Sequence, residues 1–522
     1  MRDGKTAGRQ DGTWGFGRRS AVAALTLAVL PSCRLAALQC PDGAPPPCRT
    51  TARPAAPAPN SVAVLYFENA TRDTNDAYLA DGITEEIISR LSGIERVNVR
   101  SRYLVRRYRG SALEDPAAVG RALNVTYLVS GSVRRAGGRL RVNAELIRAT
   151  GGAQVWGRQF DQVGDDVFAI QEAVAREVAT GIVGRLLPSE NQTIAVRPTT
   201  SAAAYQAVLR GNYNLARRDS AGILQAIAEY ESALRTDPAY TDALSRVGLA
   251  YGIARTNGYG LGISQDTVGA RALRYASEAV RRAPNSSDAW TAMGLANSVN
   301  HPRTLEGTIA GLERAIALDP GNAEPHHLLG FHYALLGQDS LGLSHDRMAL
   351  ALEPARPVTI MHLAHFALKY GRAAESRRWV DSALVVNAAF MNARMFRAIL
   401  LLLDGDTAQA RADVARWRDQ PPLRGYVPLY ERILAPHALD SASAREWRAG
   451  IRSLVPAELP AGIASYTALM AMIATRDAET VLQVLSAAQP RGAYAHYFMT
   501  FPLFDSIRSD AGFQRLLRET AP

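Results

Sequence analysis

The chain has 522 residues, 47% of them hydrophobic and 21% charged, with a formal net charge of +10. This balance sits near the globular average, which excludes wholesale disorder and a polytopic membrane protein, and the length suggests two to four domains at ~150 residues each. All 59 basic residues but Lys5 and Lys369 are arginines, and the three cysteines, Cys33, Cys40 and Cys48, exclude a disulfide-rich scaffold or a cysteine-ligated zinc domain.

Residues 1–32 read as a signal peptide or membrane-anchor segment. A basic stretch ending in Arg18-Arg19 is followed by a ten-residue apolar run, AVAALTLAVL, and then by Pro31-Ser32-Cys33. Ten helical residues rise only ~15 Å, half a bilayer core, so a cleaved export signal fits better than a span. Leu30-Pro31-Ser32-Cys33 resembles a bacterial lipobox, which would make Cys33 a lipid attachment site; Pro31 departs from that pattern. Other readings of this leader are a mis-called start or the remnant of a membrane segment. Residues 33–60, rich in Pro and Ala, read as an extended linker. Cys40 and Cys48 flank its three prolines, and an oxidising compartment would allow them to pair.

Residues 61–187 read as a small α/β domain. SVAVLYFEN is a buried strand, and Leu79, Ile83, Ile87, Ile88 and Leu91 fall at helical spacing behind it. A short strand follows at 97–100. Asp115 before Pro116 reads as a cap and first turn of a helix running to Leu123. Three strands then form a meander, with Gly137-Gly138 and Gly151-Gly152 as turns. In the middle strand Leu140, Val142, Ala144 and Leu146 alternate with Arg139, Arg141, Asn143 and Glu145. A long amphipathic helix closes the unit with Val167, Ile170, Val174, Val178, Ile182 and Leu186 on one stripe. Arginines 100, 102, 106, 107 and 109 surround Tyr103 and Tyr108, a mixture that can grip single-stranded nucleic acid. With 17 basic and 15 acidic residues the domain is nearly balanced, so these read as a solvated face and no nucleic-acid partner is assigned.

The stretches SVAVLYFEN, YLADGITEEIISRLS, VGRALNVTYLVSGSVRRAGGRLRVNAELIRATGGAQVWGRQFD and DVFAIQEAVAREVA resemble the TolB N-terminal-like (FlgO-like) domain. In bacterial regulators that domain accompanies protein kinases, adenylate cyclases or CadC-type DNA-binding modules, and tetratricopeptide repeats usually follow it. The resemblance implies a non-catalytic interaction module, usually outside the inner membrane.

Residues 200–420 repeat with a period of 34. Pro320, Pro354 and Ala388 are so spaced, as are Gly337, Gly371 and Gly405, and Gly330, Ala364 and Ala398. That is the tetratricopeptide signature, and about five units are counted, the last degenerate. The fold class expected is therefore an α/β N-terminal domain, with a mixed sheet and three-strand meander, plus an all-α tetratricopeptide-repeat solenoid. Stacked helical pairs bury a common face and leave a concave one that suits a protein segment. The groove positions in the usual register are Asp242, Ser245, Asp288, Thr291, Glu324, His327, Phe331, Met361 and His365. Acidic at one end and apolar at the other, they would suit a basic, partly hydrophobic partner. Residues 421–522 read as helical, with Phe501, Leu503, Phe504 and Phe513 plugging the open end of the solenoid.

Six of the nine histidines lie between His326 and His365, and His362 and His365 share one helix face at a spacing that can share a metal. Without an HExxH pattern or nearby cysteine, no metal and no cofactor are assigned. The phosphate-binding GxxxxGK(S/T), the nucleophile elbow GxSxG and the kinase HRD and DFG motifs are absent, so no catalytic residue is assigned either. The function expected is a non-enzymatic scaffold, periplasmic or membrane-anchored through its N-terminus alone, that binds protein partners. The alternative is a cytoplasmic subunit acting with a separately encoded kinase, cyclase or transcription factor.

Overall fold

The structure, a computed structural model, describes residues 57–71, 76–100, 102–109, 115–163, 166–301, 304–435, 441–489 and 493–521. The leader and most of the linker, with Cys33, Cys40 and Cys48, lie outside the described residues.

The first domain is built around β1 (Ser61–Val64), whose four residues are all buried. It runs parallel to β3 (Asn98–Val99) on one side and to β4 (Tyr127–Ala136) on the other. A two-residue strand, β2 (Glu68–Asn69), also pairs with β4. From β4 the chain meanders antiparallel through β5 (Arg139–Arg148) and β6 (Gln154–Val163). Gly137 and Gly138 carry φ of 58° and 71° in the two-residue turn between β4 and β5, a conformation that a Cβ would strain. In β5 Leu140, Val142, Ala144 and Leu146 are buried while Arg139, Arg141 and Asn143 are exposed. Their apolar face is covered by α1 (Ala77–Ser92) and α4 (Val167–Val183), which pack on each other. The turn α2 (Arg102–Val105) follows β3. α3 (Pro116–Leu123) starts at Asp115, whose carboxylate accepts the Ala118 N–H at 2.9 Å.

Packing against this domain continues beyond residue 187. α5 (Pro188–Ala195) packs on α1 and α4, and Arg96 grips Glu190 with two bonds of 2.8 and 2.5 Å. α6 (Ala202–Leu215) then docks on α1, where Tyr205 receives a hydrogen bond from Gln171 at 3.0 Å and its ring lies 4.3 Å from Phe168. One hydrophobic cluster therefore runs without a break from β1 to Tyr333.

The solenoid comprises six helical pairs. These are α6 with α7 (Ser220–Thr236), α8 (Thr241–Asn257) with α9 (Gln265–Arg282), and α10 (Ser287–Asn300) with α11 (Glu306–Leu318). They continue as α12 (Ala323–Leu335) with α13 (Asp339–Leu352), α14 (Pro357–Lys369) with α15 (Ala373–Val386), and α16 (Met391–Leu403) with α17 (Thr407–Ala415). The sequence pattern gives about five units, the last degenerate, where the structure has six pairs; α17, only nine residues long, belongs to that last pair. Gly337, Gly371 and Gly405 end the first helix of the last three pairs with φ of 71°, 72° and 81°.

Beyond the pairs come α18 (Pro421–Arg424), α19 (Val427–Ile433), α20 (Ser441–Ser453), and α21 (Ala461–Thr475) with α22 (Ala478–Ser486). A two-residue strand β7 (Leu459–Pro460) pairs parallel with β8 (Ala488–Gln489). α23 (Ala493–Met499) and α24 (Ala511–Thr520) complete the chain. Phe501, Phe504 and Phe513 are fully buried among these last helices, and Leu503 is half-buried. α21 extends the stack by packing on α16, but α23 turns back to touch α12. The C-terminal region thus folds along the inside of the coil as well as capping its end. No helix of the described residues is long and apolar enough to cross a membrane.

Candidate functional site

On α8, α10, α12 and α14 the residues expected to line the groove fall three or four apart, which places each set on one helix face. The structure treats them unequally. Asp242 is exposed. Ser245 and Thr291 are buried, each with its hydroxyl turned to its own helix, on Thr241 O at 3.3 Å and Ser287 O at 2.8 Å. Neither offers a polar atom to a partner.

Asp288 and Glu324 are neutralised within the chain. Asp288 pairs with Arg246 at 2.9 Å and accepts from the Asn322 amide at 3.1 Å. Glu324 lies between Arg218, at 2.6 Å, and Arg356. Arg356 also holds Glu353 at 2.5 Å, and Arg106 of the α/β domain reaches Glu353 at 4.0 Å. The result is a row of alternating charges across the concave face from the first domain to the fourth pair. Burial alone would raise the Glu324 carboxyl, but Arg218 and Arg356 outweigh it and hold it at about 2. At Asp288 and Glu324 the basic partners are the chain's own arginines.

The apolar end is also covered from within. Phe331 meets Tyr494 and Tyr497 of α23 at ring distances of 5.5 and 6.2 Å. His365 shares a hydrogen bond of 2.9 Å with Tyr466 of α21 and lies edge-on to Phe396 and Phe498. Met361 is buried beside them. A cavity of about 100 Å³ remains among His327, Phe331, Met361, His362, His365 and Tyr494.

The histidines form separate contacts. His326 and His345 place their Nδ1 atoms 3.0 Å apart. His332 bonds Ser298 at 2.6 Å and Leu328 O at 2.7 Å. His327 stacks on His362 with ring centroids 4.6 Å apart, and the Thr359 hydroxyl lies 3.0 Å from His327 Nδ1. Desolvation pushes His326 and His332 down to about 4, and His327 and His365 well below the usual range, so these four imidazoles are neutral near pH 7. His362 and His365 share a helix face but not a partner, because His362 turns to Asp346 at 3.2 Å.

Asp346 escapes a reading confined to the first helices of the pairs. It lies on α13, fully buried, on the face that carries Gly342 and Ala349. An acid between two small residues on the packing face of a repeat is the signal that marks it. Burial raises its carboxyl above the usual range although His362 pulls the other way.

Arg100, Arg102 and Arg109, after β3, are tied to the protein. Arg100 bonds the carbonyls of Leu123 and Asn124 at 2.8 and 2.6 Å, Arg102 pairs with Glu85 at 3.2 Å and Arg109 with Asp81 at 2.5 Å. Tyr66, Asp81 and Arg109 face Tyr213 of α6 and Val386 of α15 across a cleft of about 580 Å³.

Residues 58–203 match the family described as "HilA/YgeH-like transcriptional regulator, second domain". The match runs from just ahead of β1 to the first residues of α6. A 234-residue stretch is 32% identical to a protein described as "Putative adenylate cyclase 3" from Rhizobium meliloti (strain 1021), covering 43% of this chain and 40% of that one. The chain thus corresponds to less than half of that relative's length. Among solved structures, a thermophilic tetratricopeptide-repeat protein of Thermus thermophilus is 24% identical, matched over its whole length, 100%, and 38% of this chain, with a TM-score of 0.32. The human IFIT1 dimer with PPP-AAAA is 14% identical over 68% of this chain and 86% of that one, with a TM-score of 0.40. No function is carried over from these two likenesses.

Proposed function

We propose that the protein is a non-catalytic interaction scaffold whose α/β domain and repeat coil are presented to protein partners as one preorganised body. The observation that carries this reading is the join between the two modules. They share a hydrophobic cluster through α1 and α6, and the charge row from Arg106 to Glu324 ties them a second time across the concave face. Preorganisation of this kind lowers the ordering cost of association. The α/β unit is read as a TolB N-terminal-like domain on the motifs quoted above. The basic leader, its short apolar run and Cys33 support export and tethering on the extracytoplasmic side. Crosslinking in the source cell, followed by mass spectrometry of the complexes, tests the scaffold. Crosslinks joining both modules to the same partner are expected; self-crosslinks alone would overturn it. Mass spectrometry of the mature N-terminus tests tethering, which a full-length 56.3 kDa species in the cytosol would overturn.

The second reading is a cytoplasmic regulatory subunit serving a separately encoded transcription factor, cyclase or kinase. It is favoured by the descriptions attached to the family match and to the partial relative.

A further inference from the structure

We propose that His327, Asp346 and His362 form a binding site for one divalent metal ion of the zinc class. The three residues come from three successive helices, α12, α13 and α14, and each offers one ligand atom within 4.8 Å of the other two. Zinc takes imidazole nitrogen at ~2.0–2.1 Å and carboxylate oxygen at ~2.0–2.2 Å, so its tetrahedral ligands stand roughly 3.3 Å apart. Side-chain adjustments of about 1 Å therefore close the set on an ion. Two imidazoles and a carboxylate form a donor set suited to zinc and its first-row neighbours.

A second observation points to a missing partner. Asp346 is fully buried, yet only Oδ1 is engaged, by His362 at 3.2 Å; Oδ2 has no hydrogen-bond partner among the described residues. An orphaned carboxylate oxygen in the interior has given up its water without a replacement partner, which is unfavourable. A single imidazole N–H reaches one carboxylate oxygen, whereas a metal ion held by the three side chains would engage the carboxylate from the side that is left over. The backbone is shaped around this acid: a Cβ at residue 330 would collide with the Asp346 carboxylate, and Gly330 stands there.

The surroundings suit a metal. Thr359, 3.0 Å from His327 Nδ1, orients that ring as outer-shell partners orient metal-bound imidazoles. Arg356, whose charge is felt by both His327 and Asp346, is paired with Glu324 and Glu353, which reduces its repulsion of a cation. His327 and His362 also line the cavity of about 100 Å³, which leaves room beside the two rings for water or a small donor.

The test uses the full-length chain, stripped with a chelator and titrated with Zn²⁺ by calorimetry and with Co²⁺ by visible absorption. One ion per chain is expected, with Co²⁺ bands of a nitrogen- and oxygen-ligated site. His362→Gln and Asp346→Asn should weaken binding by ~100-fold or more, and Thr359→Val by ~10-fold, following the range seen for outer-shell partners. His345→Gln, outside the set, should bind as the wild type does. His362 is only partly buried, so its variant keeps the test valid should Asp346→Asn fail to fold. No stoichiometric ion on the folded chain would overturn the proposal. Equal affinity in His362→Gln and wild type, or thiolate bands with Co²⁺ from the N-terminal cysteines, would overturn it as well.

Discussion

Asp81 and Glu324 are both carboxylates beside arginines, yet burial weighs differently on the two. At Asp81 desolvation outweighs Arg109 and raises the carboxyl from 3.8 to about 6. The folded protein then holds more protons than the unfolded chain between those pH values, so this contribution to stability is present below pH 3.8 and lost as pH rises toward 6. Asp81→Asn removes the titration. Its stability relative to wild type, measured by denaturant unfolding, should improve between about pH 4 and about pH 7 by no more than about 3 kcal/mol. Glu324 has the opposite sign: lowered from 4.5 to about 2, its contribution is present above pH 4.5 and lost as pH falls toward 2. Glu324→Gln should cost ~3–5 kcal/mol near pH 7, because it leaves Arg218 and Arg356 without their shared acid, and the loss should shrink as the solution is acidified toward the folded-state value. The helical register marked Glu324 as a concave position. It gave no hint of its partners, which lie 106 and 32 residues away in the chain.

At the scale of the element, the 34-residue period was legible because each feature it repeats has a local cause. Gly337, Gly371 and Gly405 each end a helix in a left-handed conformation that costs other residues about 1–2 kcal/mol. Gly371→Ala should therefore lower the denaturation midpoint by an amount equivalent to about 1 kcal/mol, whereas Ala substitution at exposed Ser382, on the same pair, should not. The strands β4 to β6 were legible for a similar reason, since period-two alternation and a Gly-Gly turn are both local. The C-terminal elements were not. Their lengths run from four to fifteen residues, with a two-residue parallel pair between them, and no period survives. The set His327, Asp346 and His362 escaped because its members stand on three different helices. A reading of spacing favours neighbours on one helix, such as His362 and His365.

For the whole molecule, the inside of the coil is an internal interface. A double-mutant cycle on Phe331→Ala and Tyr494→Ala should return a coupling of about 0.5–1.5 kcal/mol, and near zero would mean that α23 does not rest on the concave face in solution. The row of charges from Arg106 to Glu324 has a mechanical consequence. Repeat arrays behave as springs, each unit held only by its neighbours, and under tension they yield one unit at a time. Here the first domain is tied to the fourth pair across the arc, as a string ties a bow. Pulled between the first domain and the fourth pair, this molecule should resist until that tie parts and then lengthen abruptly, so that force applied at one is felt at the other before the repeats between them give way.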